Sequence, residues 1–216
     1  MVWGQNYTVS VYGFPIAQAR LNLSAQDTIR LSYQVTGLLN YFFPENNRYT
    51  TVYNPANFTP RSFVKNIHQG LFKQKATITY RDSVVSYEDQ VRIEPAPRLT
   101  VFTLLAALTE REPEVLDTRW FNLDHEGQTY HARLLWADSS EVDINGSTRR
   151  CNHYRLDMEP TDSEPPFYNA TDTFMKYLGQ PETVKQIWVE ESGKHRIIKA
   201  AMKVHGLPFQ VVIQNE

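Results

Sequence analysis

Tyr7-Thr8-Val9-Ser10-Val11-Tyr12-Gly13-Phe14-Pro15-Ile16-Ala17-Gln18-Ala19-Arg20-Leu21-Asn22-Leu23 is the stretch that decides the fold. Tyr7, Val9 and Val11 alternate with Thr8 and Ser10. Beyond the Gly13-Phe14-Pro15 corner, Ala17, Ala19, Leu21 and Leu23 alternate with Gln18, Arg20 and Asn22. Successive side chains of a strand point to opposite faces, so this period of two predicts two half-buried strands joined by a bend. The rhythm returns at Ile29-Leu31-Tyr33-Val35, Ala76-Ile78-Tyr80, Tyr130-Ala132-Leu134-Trp136, Tyr154-Leu156-Met158 and Phe209-Val211-Ile213, where alternate positions are again apolar. One dry face and one wet face is the signature of antiparallel strands over a core; buried parallel strands are continuously apolar. Turn chemistry separates the runs at Asn46-Asn47, Asn54-Pro55, Glu126-Gly127, Asn145-Gly146 and Ser192-Gly193.

Two stretches carry a helical period instead. Val101, Leu104, Leu105 and Leu108 follow directly on Pro95-Ala96-Pro97 and predict a helix with one strongly apolar side, plugging or covering a mouth of the curled sheet. Phe174, Tyr177 and Leu178, with a cap at Thr171 or Asp172 and stop chemistry at Gly179 and Pro181, predict a short helix within Ala170 to Leu178. Glu159 to Tyr168 is too rich in proline for a central strand and reads as an exposed excursion. With no internal repeat and no boundary signal, residues 1–216 form a single domain. Many strands and few helices make the expected fold all-β: a long antiparallel meander curled into a half-barrel or folded sandwich, because a flat sheet of that many strands is unfavourable.

Composition narrows the function. An apolar share of 41% supplies a full core, and a net charge of −2, from 22 Lys plus Arg against 24 Asp plus Glu, gives no bulk attraction to nucleic acid. The longest apolar run, Leu104 to Leu108, is far short of the roughly 18 residues needed to span a bilayer as a helix, so no transmembrane segment is expected. One cysteine, Cys151, excludes an intramolecular disulfide. The N-terminal residues lack the basic flank and apolar stretch of an export signal, as in a cytoplasmic protein or a processed mature chain.

Four phrases in order along the chain carry a family likeness: residues 12–21 (Tyr12-Gly13-Phe14-Pro15 to Leu21), residues 42–49 (Phe42-Phe43-Pro44-Glu45 to Tyr49), Ile187-Trp188-Val189 and Gly206-Leu207-Pro208-Phe209. Together they resemble the DUF3108 family of exported bacterial proteins. That resemblance implies a signal-less mature form at the periplasm or outer envelope, with an antiparallel meander like those of capsule-assembly lipoproteins and, more loosely, lipoprotein carriers. It implies no catalytic residues. At position 18 relatives often carry Gly where this chain has Gln18.

The chemistry-bearing clusters are weighed against ordinary packing. There is no His-Glu-x-x-His and no glycine-rich phosphate loop, which excludes the common metalloprotease and nucleotide-binding patterns. Cys151 and His153 share a strand face, and with His131 opposite would offer a soft metal site or an activated thiol; the ordinary alternative is a buried thiol beside a polar-face imidazole. The carboxylate pairs Asp157/Glu159, Asp162/Glu164 and Glu190/Glu191 suit glycoside hydrolysis and equally suit a solvated surface. No catalytic residue, metal or cofactor is assigned.

Charge patterning is more informative. Between Tyr41 and Arg81 stand six basic residues (Arg48, Arg61, Lys65, Lys73, Lys75, Arg81) and one acid, Glu45, interleaved with aromatic rings. Cations beside rings suit an amphiphilic anion, either a lipid-like molecule or an acidic glycan. The expected ligand site comprises Tyr41, Phe43, Arg48, Tyr53, Arg61 and Lys65, with Arg61 and Lys65 on one face and their heads gripping one anionic group. The leading expectation is a non-enzymatic envelope protein holding such a ligand. The alternative is an assembly partner that docks another envelope protein through a sheet edge or apolar patch, and a hydrolase trails both.

Overall fold

The computed structural model describes residues 2–24, 27–88, 90–93, 98–144, 146–161, 167–168 and 170–214. Pro95-Ala96-Pro97, Asn145 and residues 162–166 of the proline-rich stretch, with the Asp162/Glu164 pair, lie outside the described residues. The rest of that stretch is not an exposed excursion, since Glu159 and Pro160 end a strand and Phe167 and Tyr168 are buried. Alternation builds fifteen strands. The first eight are β1 (Val2–Val11), β2 (Phe14–Ser24), β3 (Thr28–Val35), β4 (Asn46–Tyr53), β5 (Pro60–Gln69), β6 (Phe72–Arg81), β7 (Val84–Tyr87) and β8 (Gln90–Ile93). The rest are β9 (Arg98–Thr100), β10 (Trp120–His125), β11 (Gln128–Ile144), β12 (Ser147–Pro160), β13 (Val184–Glu190), β14 (Ile197–Val204) and β15 (Leu207–Ile213). Helices α1 (Gly37–Phe42), α2 (Val101–Glu110), α3 (Pro113–Leu116) and α4 (Thr173–Leu178) interrupt them.

All fifteen strands form one sheet, in the order β8 to β1, then β15 back to β9. Every pairing is antiparallel except the short β9–β10 ladder. The meander therefore runs outward in both directions from a central β1–β15 seam, closed by the C-terminal strand. The sheet then curls until its two wings face each other. Tyr80 of β6 donates to Asp124 of β10 at 2.7 Å, and Arg98 of β9 donates to the Ser83 carbonyl beyond β6 at 3.4 Å. Among the described residues, side chains and not a backbone ladder join the wings, since β8 and β9 are the two edges of the sheet.

Helix α2 fills the space between the wings. The Thr100 and Thr103 side chains cap it reciprocally, and seven of its residues are buried. Phe102 stacks on Tyr49 of β4 at 5.4 Å and on Phe63 of β5 at 5.5 Å. The helix is thus a central element, not a plug at one mouth, and it is apolar nearly all round because it is enclosed. Other differences from the sequence reading are local. Asn46-Asn47 opens β4 instead of turning the chain. Trp136 is exposed, although it pairs with the buried Tyr154, and just beyond it a bulge at Ala137 breaks the alternation. The short helices α1 and α3 lie below the length at which a helical period is legible.

The dry-face assignments for Val35, Leu134 and Leu156 hold, while Tyr33 and Val211 are half-buried against the core. Leu134 and Leu156 lie directly opposite each other on β11 and β12. Truncating either to Ala is expected to cost about 2–5 kcal/mol in chemical denaturation. The double variant should fall short of the sum of the two, because the pair shares one site.

Candidate functional site: an arginine-lined groove

The wet faces of β2, β3 and β4 make a grid. Register places Gln18, Gln34 and Asn46 on one rung, Arg20, Ser32 and Arg48 on the next, and Asn22, Arg30 and Thr50 on the third. These nine side chains, with Asn6 of β1 and Gln214, line a groove of about 610 Å³. Among the described residues, its only charged lining residues are Arg20, Arg30 and Arg48. Arg20 and Arg48 stand two strands apart, about 9–10 Å at the backbone, with Arg30 on the strand between them. All three are exposed, and none has a carboxylate within ion-pair distance among the described residues.

Like charges held together on one face repel unless an anion sits among them. The surroundings favour that arrangement: amides and hydroxyls fill the remaining grid positions, and Tyr7, Ala19, Leu31, Tyr33 and Tyr49 complete the lining. Arg20 Nε donates to Asn22 Oδ1 at 3.2 Å, turning the guanidinium along the sheet. Gly4 of β1 makes room for it, since a Cβ there would stand 2.9 Å from Asn22 Oδ1 and 3.1 Å from Arg20 Nη2. The groove thus presents planar cationic donors amid neutral hydrogen-bonding groups.

Of the six residues expected at the site, only Arg48 lines this groove. Tyr41 and Phe43 are exposed on and just after α1, and Tyr53 is buried against Phe58 with ring centroids 6.0 Å apart. Arg61 and Lys65 do not share an opening. Val52 pairs with Ser62 and Tyr53 with Pro60, so Arg61 is the extra residue of a bulge and swings outward toward Asp27, at 3.8 Å. Lys65 keeps the parity of Phe63 and Ile67 and points into the core. Sequence reading missed Arg20 and Arg30, although their signal was present: each is the lone charge among wet-face positions otherwise held by Asn, Gln, Ser and Thr.

Lys65 anchors a buried polar cluster. Its Nζ is ion-paired with Glu126 Oε1, lies 3.8 Å from Asp172 Oδ2, donates to Thr171 Oγ1 at 2.9 Å and sits 4.4 Å from the centre of the Tyr168 ring. Asp172 Oδ1 accepts from Tyr49 at 2.7 Å and caps α4 through the Met175 N–H at 3.1 Å. Glu126 belongs to the tight Glu126-Gly127 turn, where both residues have positive φ and the Phe167 ring occupies the place a Gly127 Cβ would need. His125 Nε2 lies 2.9 Å from the Met175 carbonyl, so the neutral ring carries its proton on Nε2. Burial pushes this imidazole below its ordinary 6.5, against the upward pull of the Glu126 carboxylate, the Met175 carbonyl and the Asp172 carboxylate. Lys65, Glu126 and Asp172, buried and ion-paired, hold β5, the β10–β11 turn and α4 together.

Cys151 is buried, and burial pushes its thiol up to about 11. His153 stacks on Trp188 at 4.3 Å. Cys151 pairs with Ser140, which puts His131 nine residues away along β11, about 30 Å. No three His, Cys, Asp or Glu side chains among the described residues are grouped so as to hold a metal. Three of the carboxylates read as pairs face arginines: Asp157 lies between Arg133 and Arg155, Glu190 pairs with Arg149 and Arg196, and Glu191 pairs with Arg150.

No family model matches the sequence, and no curated protein does. Among solved structures, a beta-barrel-like protein of the domain of unknown function DUF1849 from Brucella abortus is similar, with a TM-score of 0.63 and 8% identity, covering 97% of this chain and 94% of that chain. At that identity the likeness shows a shared fold: the mostly β chain is a curled, barrel-like single sheet of fifteen strands.

Lys65→Ala leaves two carboxylates buried without their cation, and about 3–5 kcal/mol of stability should be lost in urea denaturation. Adding Glu126→Gln and Asp172→Asn should recover part of that loss. His125 gives a pH dependence of definite sign. Above about pH 6.5 the imidazole is neutral folded and unfolded; below it the unfolded chain takes up a proton that the folded state resists, so stability falls with pH until the folded-state value is reached. Burial raises the Glu45 and Glu110 carboxyls, which slopes the opposite way. The comparison of wild type with His125→Gln isolates the imidazole, and the variant should lose less stability between pH 7 and pH 5, read from thermal midpoints.

Proposed function

We propose that the protein is a non-enzymatic binding protein of the cell envelope that holds an acidic glycan in the groove of Arg20, Arg30 and Arg48. The observation that carries this reading is the arginine triangle, without counter-charges among the described residues, amid amide and hydroxyl groups. Guanidinium groups bind carboxylate or sulfate groups through paired, charge-assisted hydrogen bonds, while Asn and Gln side chains match sugar hydroxyls as donors and acceptors. An acidic glycan suits such a lining better than an acyl chain, because the grid positions between the arginines are polar. Envelope location rests on the resemblance to the exported DUF3108 family, and two of the phrases that carry it contain Arg20 and Arg48.

A second reading, docking of another envelope protein, is favoured by the β8 edge. Val91 and Ile93 are exposed there, beside unpaired backbone that a partner strand can extend.

Calorimetry with polygalacturonate oligomers, and with neutral dextran as control, tests the glycan reading. Wild type should bind the uronic-acid chain and not dextran, with affinity falling as salt rises. Arg20→Gln/Arg30→Gln/Arg48→Gln should weaken binding at least about tenfold while the thermal midpoint stays level or rises, since repulsion is relieved. Equal binding by both proteins, or binding by neither across a panel of uronate and sulfated chains, removes the glycan reading in favour of the docking partner.

A further inference from the structure

A set of large, strongly exposed apolar side chains gathers at one end of the sheet. Val11 pairs with Phe209, Ala17 pairs with Val35, and Glu45 bridges Gln69, so the β14–β15 turn, the β1–β2 turn, α1 and the β5–β6 turn lie at one rim. Phe14, Leu38, Tyr41, Phe42, Phe43 and Leu71 stand on these tips with 67% to 102% of their surface exposed. Helix α1 is the most unusual element. Its sequence Gly37-Leu38-Leu39-Asn40-Tyr41-Phe42 is apolar nearly all round, yet none of its residues is buried. A helix of six residues gains little from its own hydrogen bonds, and soluble surfaces rarely collect apolar side chains in this way.

Charge complementarity selects the occupant. Lys73 stands two residues past Leu71, Lys203 is the last residue but one of β14, beside its turn, and Lys176 lies on α4, whose Tyr177 ring meets His205 of that turn at 5.3 Å. All three lysines are exposed. The acid bordering α1, Glu45, accepts from Gln69 at 2.6 Å, and burial pushes its carboxyl up. Leu, Phe and Tyr side chains bordered by Lys match the layered chemistry of a bilayer surface: rings and aliphatic tips enter the headgroup boundary while ammonium groups meet anionic phosphates. We infer that this rim docks on an anionic lipid surface, laying α1 and the neighbouring turn tips into the headgroup layer. The inference is independent of the groove, which lies on the wet face of β2–β4 and is tested with a soluble glycan.

Co-sedimentation of the full chain with vesicles tests it. Wild type should pellet with vesicles of equal parts phosphatidylglycerol and phosphatidylcholine, and much less with phosphatidylcholine alone. Phe42→Ser/Phe43→Ser should lower the partition coefficient at least about tenfold, and Lys73→Glu/Lys203→Glu should lower it on the anionic vesicles while leaving partition onto neutral vesicles level. Thermal midpoints should not move, because these side chains are exposed; if the double serine variant does not fold by circular dichroism, Leu71→Ser takes its place. Equal partition of wild type and the serine variant, or no partition on either vesicle, overturns the inference. So does a wild-type dimer in size-exclusion chromatography that the serine variant converts to a monomer without any vesicle binding, which would make a second copy the occupant of the rim.

Discussion

A sheet with one apolar face must cover that face, and a sheet continuous over fifteen strands has little but itself to cover it with. The alternation that makes each strand also commits the whole ribbon to curling, with the odd-numbered positions of β1 to β5 mostly turned inward. Curling leaves a cleft between the wings too wide for strand side chains alone. Helix α2 occupies it, Phe102 lying against Tyr49 and Phe63, while Ala106 and Ala107 keep the helix slim enough to be enclosed. The β1–β15 seam joins the chain termini into the middle of the sheet, so neither end is a free edge.

Parity then decides what each basic residue does. Arg20, Arg30 and Arg48 occupy wet-face positions and remain exposed; Lys65 occupies a dry-face position and is buried. Burying an ammonium group costs several kcal/mol unless carboxylates and hydrogen bonds surround it, which here requires Glu126 and Asp172. That requirement places the Glu126-Gly127 turn and the start of α4 against β5. Internal cations are thus spent on holding distant segments together, and the arginines outside are free to meet an anion.

The groove and the rim are neighbours. The rung of Gln18, Gln34 and Asn46 lies at the end of the grid closest to the β1–β2 turn and α1. A chain bound along the groove would therefore run toward the apolar tips and their lysines. The two features divide the chemistry that the sequence interleaves: cations with amides on the sheet face, aromatic rings with lysines at its end.

What the amino-acid order determined by itself was the local geometry. Period two marked the strands around Tyr7, Ile29, Leu134 and Leu156, and the apolar spacing from Val101 to Leu108 and the Asp172 cap marked α2 and α4, because facing and capping depend on residues a few positions apart. The excess of arginine and lysine over acid between Tyr41 and Arg81 was equally legible, and so was the need for a curled sheet. Tertiary structure alone decided which of those cations face solvent. A one-residue bulge turned Arg61 outward, and Lys65 found its counter-ion 61 residues away, beside an Asp172 that Tyr49 reaches across 123 residues. Arg20 and Arg30 joined Arg48 only when register set three strands side by side. The physical reason is range: a side chain's facing is set by its own backbone, whereas its partners are set by how the sheet closes.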